Sequence, residues 1–234
     1  MPDINIRGEL WDNDSADILR WWGWRDITAP MDIEQALRDA NGEEVTVLVN
    51  SPGGDMTVGG EIRSMLRRYS GKVSALIQGY AASAATLAIS ACEVIRCEPG
   101  ALLCYHNPNA GAEGDFHEME RAAAGLLSAR DCILEMYEAR GGTKPREELI
   151  ALMDQNTWIS PTQAKEYGLI DEVVALDLGS GDPAAFVAAA NGRLRLTAQM
   201  RSKFQEHVAA ERERAATEEK AKRARAKLRA LANF

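Results

Sequence analysis

The chain has 234 residues, which suits one domain of about 150–200 residues plus an appendage. Hydrophobic residues make up 46% of it, enough for a buried core, and its formal charge is −8. It contains no run of about 18 apolar residues of the kind that crosses a membrane, and Met1–Asn5 have neither the basic start nor the apolar centre of a secretory signal. In a chain without such a signal, Cys92, Cys97, Cys104 and Cys132 are expected to be reduced and buried. Their spacing, with His106 the sole histidine nearby, makes a poor zinc site, and no metal or other cofactor is expected.

In chain order, the apolar pattern predicts a strand over Asp3–Glu9. A connection containing Trp21, Trp22 and Trp24 follows; core positions are one reading, but three tryptophans so close together better suit a hydrophobic surface or a subunit contact. A helix is expected over Met31–Asp39. The β-branched run Val45–Val49 then reads as a strand that stops at a sharp turn in Asn50-Ser51-Pro52-Gly53-Gly54. Adjacent glycines let a backbone approach a ligand closely and turn an N–H toward it. A helix over Thr57–Tyr69 and a strand over Val73–Ile77 lead into Gly79-Tyr80-Ala81-Ala82-Ser83-Ala84-Ala85.

Ser83 is set among residues with almost no side chain, at the start of a helix expected over Ala84–Cys92. Backbone N–H groups at such a point suit a serine nucleophile, because the oxyanion formed on an attacked carbonyl needs backbone donors. A plain N-cap serine is the ordinary alternative. Strands over Val94–Cys97 and Leu102–Tyr105 come next, and the second ends at His106, just before Pro108. Of the three histidines, His117 lies in an acidic stretch and His207 in a charged tail, so His106 is the one placed as a site residue. Helices over Phe116–Arg140, Lys144–Asp154 and Pro161–Tyr167 complete an alternation of strands and helices, the pattern of an α/β fold.

The order Asn-Ser-Pro-Gly-Gly (50 to 54), Gly-Tyr-Ala-Ala-Ser-Ala-Ala (79 to 85) and Tyr-His-Asn-Pro (105 to 108) resembles the Clp protease proteolytic subunit (ClpP). Trp158-Ile159-Ser160-Pro161 and Ala164–Asp171 extend the similarity, which covers roughly Ile4 to Val174. The resemblance implies an α/β fold of the ClpP/crotonase type, built from repeated ββα units. It also implies a ring-forming homo-oligomer that acts on protein substrates. Carried over residue by residue, Ser83 is the nucleophile, His106 the general base, and Gly54 and Ala84 supply oxyanion-hole N–H groups. The family's aspartate position falls on Asn156. An asparagine can hold the histidine tautomer but brings no charge, and Asp154, two residues earlier, is the alternative third member.

The Trp-rich first part, with Asp26-Ile27-Thr28, is most similar to the ClpP-related head maturation proteases of tailed phages. That implies a serine endopeptidase, ATP-independent by itself, that cleaves head or scaffold proteins in the host cytoplasm or the assembling phage head. Two alternatives stay open: an inactive ClpP-like structural subunit, and a crotonase-like acyl-CoA enzyme, which would not need the Ser83/His106 pair.

The expected organisation is a protease domain over residues 1–178, a linker and short Ala-rich segment over 179–192, and a basic helical tail over 193–234. The tail holds 12 Lys+Arg and 5 Asp+Glu, a net of +7, against 15 and 30 in the body, a net of −15. It is expected to be a solvated helix or to contact an acidic partner, a neighbouring subunit or nucleic acid.

Overall fold

The computed structural model describes residues 2–175, so the linker, the Ala-rich segment and the basic tail lie outside the described residues. Eight strands form one sheet. Six of them run parallel in the order β2 (Ile27–Thr28), β1 (Asp3–Leu10), β3 (Val45–Gly54), β4 (Val73–Ala82), β5 (Val94–Cys97), β8 (Glu172–Val173). The alternation in β3 buries Val45, Val47 and Val49 completely, together with Ile4 and Ile6 of β1 and Ala75 and Ile77 of β4. Each fully buried Val or Ile contributes about 1.5–3 kcal/mol, so these central strands carry much of the core.

Helix α2 (Pro30–Ala40) directs Ile33 and Leu37 at this core, and α3 (Met56–Arg68) directs Val58, Ile62 and Leu66. Asp55 starts α3 by accepting the N–H groups of Thr57 and Val58. Every residue of the short α4 (Ala84–Ile89) is buried. Gly59 of α3 allows this: a Cβ there would stand 2.6 Å from the Ala84 carbonyl oxygen. The long α5 (Phe116–Ala139) packs through Ile133, Leu134 and Tyr137 near its end, while α6 (Arg146–Gln155) contributes Leu149, Leu152 and Met153. Arg140, just past α5, pairs with Asp171 and donates to the Cys92 carbonyl at 2.7 Å, tying that end to the strands.

The sheet forks where the site lies. The lower half of β4 pairs with β5 (Ser74 to Ile77), and its upper half pairs with β6 (Leu102–Cys104) through Tyr80, Ala81 and Ala82. Strand β7 (Trp158–Ile159) lies antiparallel to β6. Where β3 steps from Val49 to Ser51, β4 steps from Ile77 to Ala81, so β4 carries the extra residues of a bulge. Beyond it β4 leaves β5 and reaches β6.

Several expectations need correction. The strand after Val45 does not stop at Val49 in a sharp turn but runs on to Gly54, paired with β1 as far as Leu10. Pro52 is tolerated because the ladder to β1 shifts register between Asn50 and Gly53, and the pairing with β4 ends at Ser51. Strand β4 likewise runs past the expected end at Ile77 to Ala82. A helix α1 (Asn13–Trp21) ends at the first of the tryptophans, with Asp12 accepting Ser15 N–H as its cap. Among its residues only Ala16 is buried. Cys92, Cys97 and Cys104 are buried free thiols, as expected, but Cys132 is exposed on α5. Trp21, Trp22 and Trp24 stand exposed, by 83%, 65% and 53%.

Candidate active site

Ser83 occupies the turn between β4 and α4, with φ 55° and ψ −130°. A non-glycine residue held there stores about 1–3 kcal/mol of strain. Its N–H donates to the Cys104 carbonyl at 3.0 Å, and its carbonyl accepts from Thr86 N–H at 3.0 Å. The hydroxyl makes no capping bond, so Ser83 is not a plain N-cap serine. This is a sharp strand-to-helix turn that leaves a serine hydroxyl unused, the local geometry of a nucleophile elbow.

Gly53, which the sequence reading left out of the site, makes room for this turn. It lies at φ 89°, and a Cβ on it would stand 2.5 Å from Ala82 O and 2.8 Å from both Ala84 N and Ser83 Cβ. Its N–H is held by the buried Ser51 hydroxyl at 3.1 Å, and that hydroxyl in turn donates to Gly8 O at 2.6 Å. The signal was present in Pro52-Gly53-Gly54. What the sequence could not show is which of the two glycines faces the serine, since a Cβ on Gly54 would strike Leu10 O, at 2.3 Å, rather than the Ser83 turn.

His106 lies two residues beyond β6 and is half-buried. Its Nδ1 is 2.6 Å from the Asn107 carbonyl oxygen. A carbonyl can only accept, so that contact places the ring proton on Nδ1 and leaves Nε2 as the acceptor of a neutral imidazole. The Asn107 side chain donates in turn to Asp154 Oδ1 at 2.7 Å. Tyr105, just before His106, packs edge-on against Tyr137 of α5, with ring centres 5.3 Å apart.

A cavity of about 280 Å³ brings together Ser83, Ala84, Gly54 and His106, with Met56, Leu87, Ile133 and Tyr137 among its walls. The third position is arranged differently from the sequence expectation. Asn156 ends α6 in the left-handed conformation (φ 47°), and its Oδ1 faces the Cys104 thiol at 3.9 Å. Among the described residues it makes no hydrogen bond to His106. Asp154 reaches the imidazole through Asn107. Among the described residues no cluster of three His, Cys, Asp or Glu side chains could hold a metal ion.

The Clp protease family model matches residues 33–177. The chain belongs to the Clp protease family. It is 32% identical over 142 residues to the ATP-dependent Clp protease proteolytic subunit 3 of Rhizobium etli, covering 59% of this chain and 72% of that protein. The subunit of the same name from Rhizobium johnstonii is 30% identical over 141 residues, covering 59% and 72%. A ClpP1 mutant from Listeria monocytogenes superposes with a TM-score of 0.60 at 20% identity, over 74% of this chain and 91% of that one. That last likeness bears out the ClpP-like α/β fold, with its mostly parallel sheet. The family and its proteolytic-subunit relatives support a serine protease of the Clp family. Residues 2–32, which carry β1, α1 and the tryptophans, precede the family match.

Proposed function

We propose that this chain is a serine endopeptidase with Ser83 as nucleophile and His106 as general base. The observation that carries the reading is the strained Ser83, its hydroxyl free of any capping bond, sharing one cavity with a histidine whose Nδ1 proton is already committed to Asn107 O. In the acylation step the Ser83 Oγ attacks the scissile carbonyl carbon. Its proton passes to His106 Nε2 and then to the leaving amine, and water releases the acyl group by the same route in reverse.

The oxyanion formed in each half is held by the N–H groups of Ala84 and Gly54, both of which line the cavity. The Asp55 N–H is taken by Leu10 O on the β1 side, and N–H directions alternate along an extended strand. That alternation supports a Gly54 N–H directed toward β4 and Ser83. For the third role, the hydrogen bonds favour Asp154, acting through Asn107 as a positioning group. Asn156, the family's positional match, then serves as the left-handed terminator of α6.

Labelling with a fluorophosphonate probe tests the reading. The intact protein takes up one probe per chain on Ser83, while Ser83→Ala takes up none and loses peptide hydrolysis by about 10⁴-fold or more. Hydrolysis at the parent rate by Ser83→Ala overturns it.

The substrates we propose are phage head or scaffold proteins, cleaved by a ring of identical subunits. The resemblance of the Trp-rich first segment supports this, as do its exposed tryptophans, which suit contact with another protein surface. Cleavage of a co-expressed capsid precursor by the parent protein and not by Ser83→Ala is the expected result. Sedimentation as a monomer removes the ring.

A further inference from the structure

The Ser83 carbonyl is held by more than its helix. Besides Thr86 N–H at 3.0 Å and Leu87 N–H at 3.4 Å, it accepts the Thr86 hydroxyl at 2.7 Å. That bond uses the Thr86 hydroxyl proton. The contact between Thr86 Oγ1 and Tyr137 Oη, 2.8 Å, must therefore have the tyrosine as donor. The result is a directed chain from the Tyr137 hydroxyl to the Thr86 hydroxyl to the Ser83 carbonyl. Both side chains are nearly sealed from solvent, Thr86 at 3% and Tyr137 at 5% exposure, so water does not compete for these bonds. Burial also pushes the Tyr137 phenol up to about 12, and it stays a donor throughout the neutral range.

The Ser83 carbonyl and the Ala84 N–H belong to one planar trans peptide and point in opposite directions. Whatever fixes the one aims the other. An accepted hydrogen bond also polarises the peptide and makes its N–H a stronger donor. A hydroxyl bonding back to a carbonyl in a helix is an ordinary local motif. Tyr137 is not part of that motif. It comes from α5, stands in the wall of the same cavity, and packs on Tyr105 beside the histidine.

We infer that Thr86 and Tyr137 are positioning residues that lock the Ser83–Ala84 peptide with its N–H aimed into the cavity, where it meets the oxyanion. This rests on the reading of Ser83 as nucleophile and of Ala84 N–H as an oxyanion donor. It adds to that reading a residue from a separate helix.

The test compares the intact protein with Tyr137→Phe, Thr86→Val and Thr86→Ser. It measures peptide hydrolysis and the affinity for a peptide aldehyde and the matching peptide alcohol. Ser83 Oγ adds to the aldehyde carbon, the carbonyl pair moves to oxygen as the oxyanion, and the serine proton goes to His106. The alcohol forms no such bond. Removing one oxyanion donor outright costs about 10²–10³ in kcat, so misaiming it should cost about tenfold.

Tyr137→Phe and Thr86→Val should therefore lower kcat and aldehyde affinity about tenfold, with KM and alcohol affinity held within about twofold. Thr86→Ser, which keeps the hydroxyl, should stay near the parent. Parent-like kcat and aldehyde affinity in Tyr137→Phe, or a parallel loss of aldehyde and alcohol binding, overturns the inference. Tyr137→Phe removes a single oxygen and keeps the test open if Thr86→Val fails to fold. Ser83→Ala separates the two levels. If Ser83→Ala is inactive while Tyr137→Phe matches the parent, the aiming role alone is lost. If Ser83→Ala still hydrolyses peptide, the nucleophile reading falls and this inference with it.

Discussion

The two halves of the site are built to different standards. Ser83 sits at the end of a ten-residue strand in the middle of the sheet and enters a helix with no exposed residue. Gly53 and Gly59 bring β3 and α3 against the same turn so closely that neither position has room for a Cβ. His106 follows a strand of three residues and lies within residues 105–115, which have no regular structure. Its outer support is a pair of side chains, Asn107 and Asp154, joined by an exposed hydrogen bond. Ser83 holds a backbone conformation that costs about 1–3 kcal/mol and must be enforced from every side. In the role proposed for it, His106 needs only one ring orientation, and a few hydrogen bonds suffice to set it.

The largest effect that contrast predicts is at Gly53. Gly53→Ala adds a methyl to a φ of 89° and drives it into the Ala82 carbonyl and the Ser83 turn. The left-handed strain and the clash together should cost about 2 kcal/mol or more in stability. Peptide hydrolysis should fall further than the unfolded fraction explains. Chemical denaturation alongside kcat at a temperature where the variant is folded checks both. A fully active Gly53→Ala would mean the turn is far less constrained than its packing indicates.

On the looser side the effects should be smaller and separable. Asp154→Ala should lower kcat about tenfold by freeing Asn107 and with it the imidazole, since small misplacements of a catalytic group are costly. Asn156→Ala should instead cost about 1 kcal/mol in stability, because it places a Cβ-bearing residue without a local hydrogen-bonding side chain at φ 47°. Asn156→Asp, which keeps a side chain suited to the left-handed position, should leave kcat near the parent. A silent Asp154→Ala beside a crippled Asn156→Ala reverses these roles.

Asp55, at the border of the Ser83 half, links the site to pH. The Thr57 hydroxyl first, and then the N–H groups of Thr57 and Val58, hold its carboxyl below the ordinary value of 3.8. A depressed carboxylate stabilises the fold above its unfolded pKa, and that contribution disappears as pH falls through the folded one. Asp55→Ala should therefore cost about 1 kcal/mol near neutral pH. The difference from the parent should shrink below pH 3.8, read by urea titration at both pH values. A difference independent of pH would remove the ionised cap.

The smallest effect separates the elements themselves. Burial pushes the Cys92 and Cys97 thiols up to about 12 and raises that of Cys104, whereas Cys132 is exposed on α5. A neutral alkylating reagent should modify Cys132 in the folded protein and the other three after unfolding, counted by mass. Rapid native modification of Cys92 or Cys97 would show that the strands bearing them open readily.

Local pattern was enough for the long central strands and for most of the helices, because period-2 and period-3.6 apolar repeats record which face is buried. Ser83, Gly54 and His106 were grouped into one site by the family resemblance that their three motifs carry together, since each motif alone has an ordinary structural reading. Strand ends were not legible. Val45 to Gly54 is a single strand only because β1 lies alongside with a matching bulge, and nothing within Ser51-Pro52-Gly53 reports a neighbour that distant in sequence. The same holds for β7 and β8, two residues each, whose existence depends on the strands they pair with. The support around the site was beyond sequence reading for a related reason. Asp154 and Asn156 both end one helix and are equally polar, and only the fold decides that one meets Asn107 and the other Cys104. Tyr137 lies 51 residues beyond Thr86 and reaches its hydroxyl because α5 packs over α4, an approach set by burial of the helix's apolar end rather than by any motif around the tyrosine.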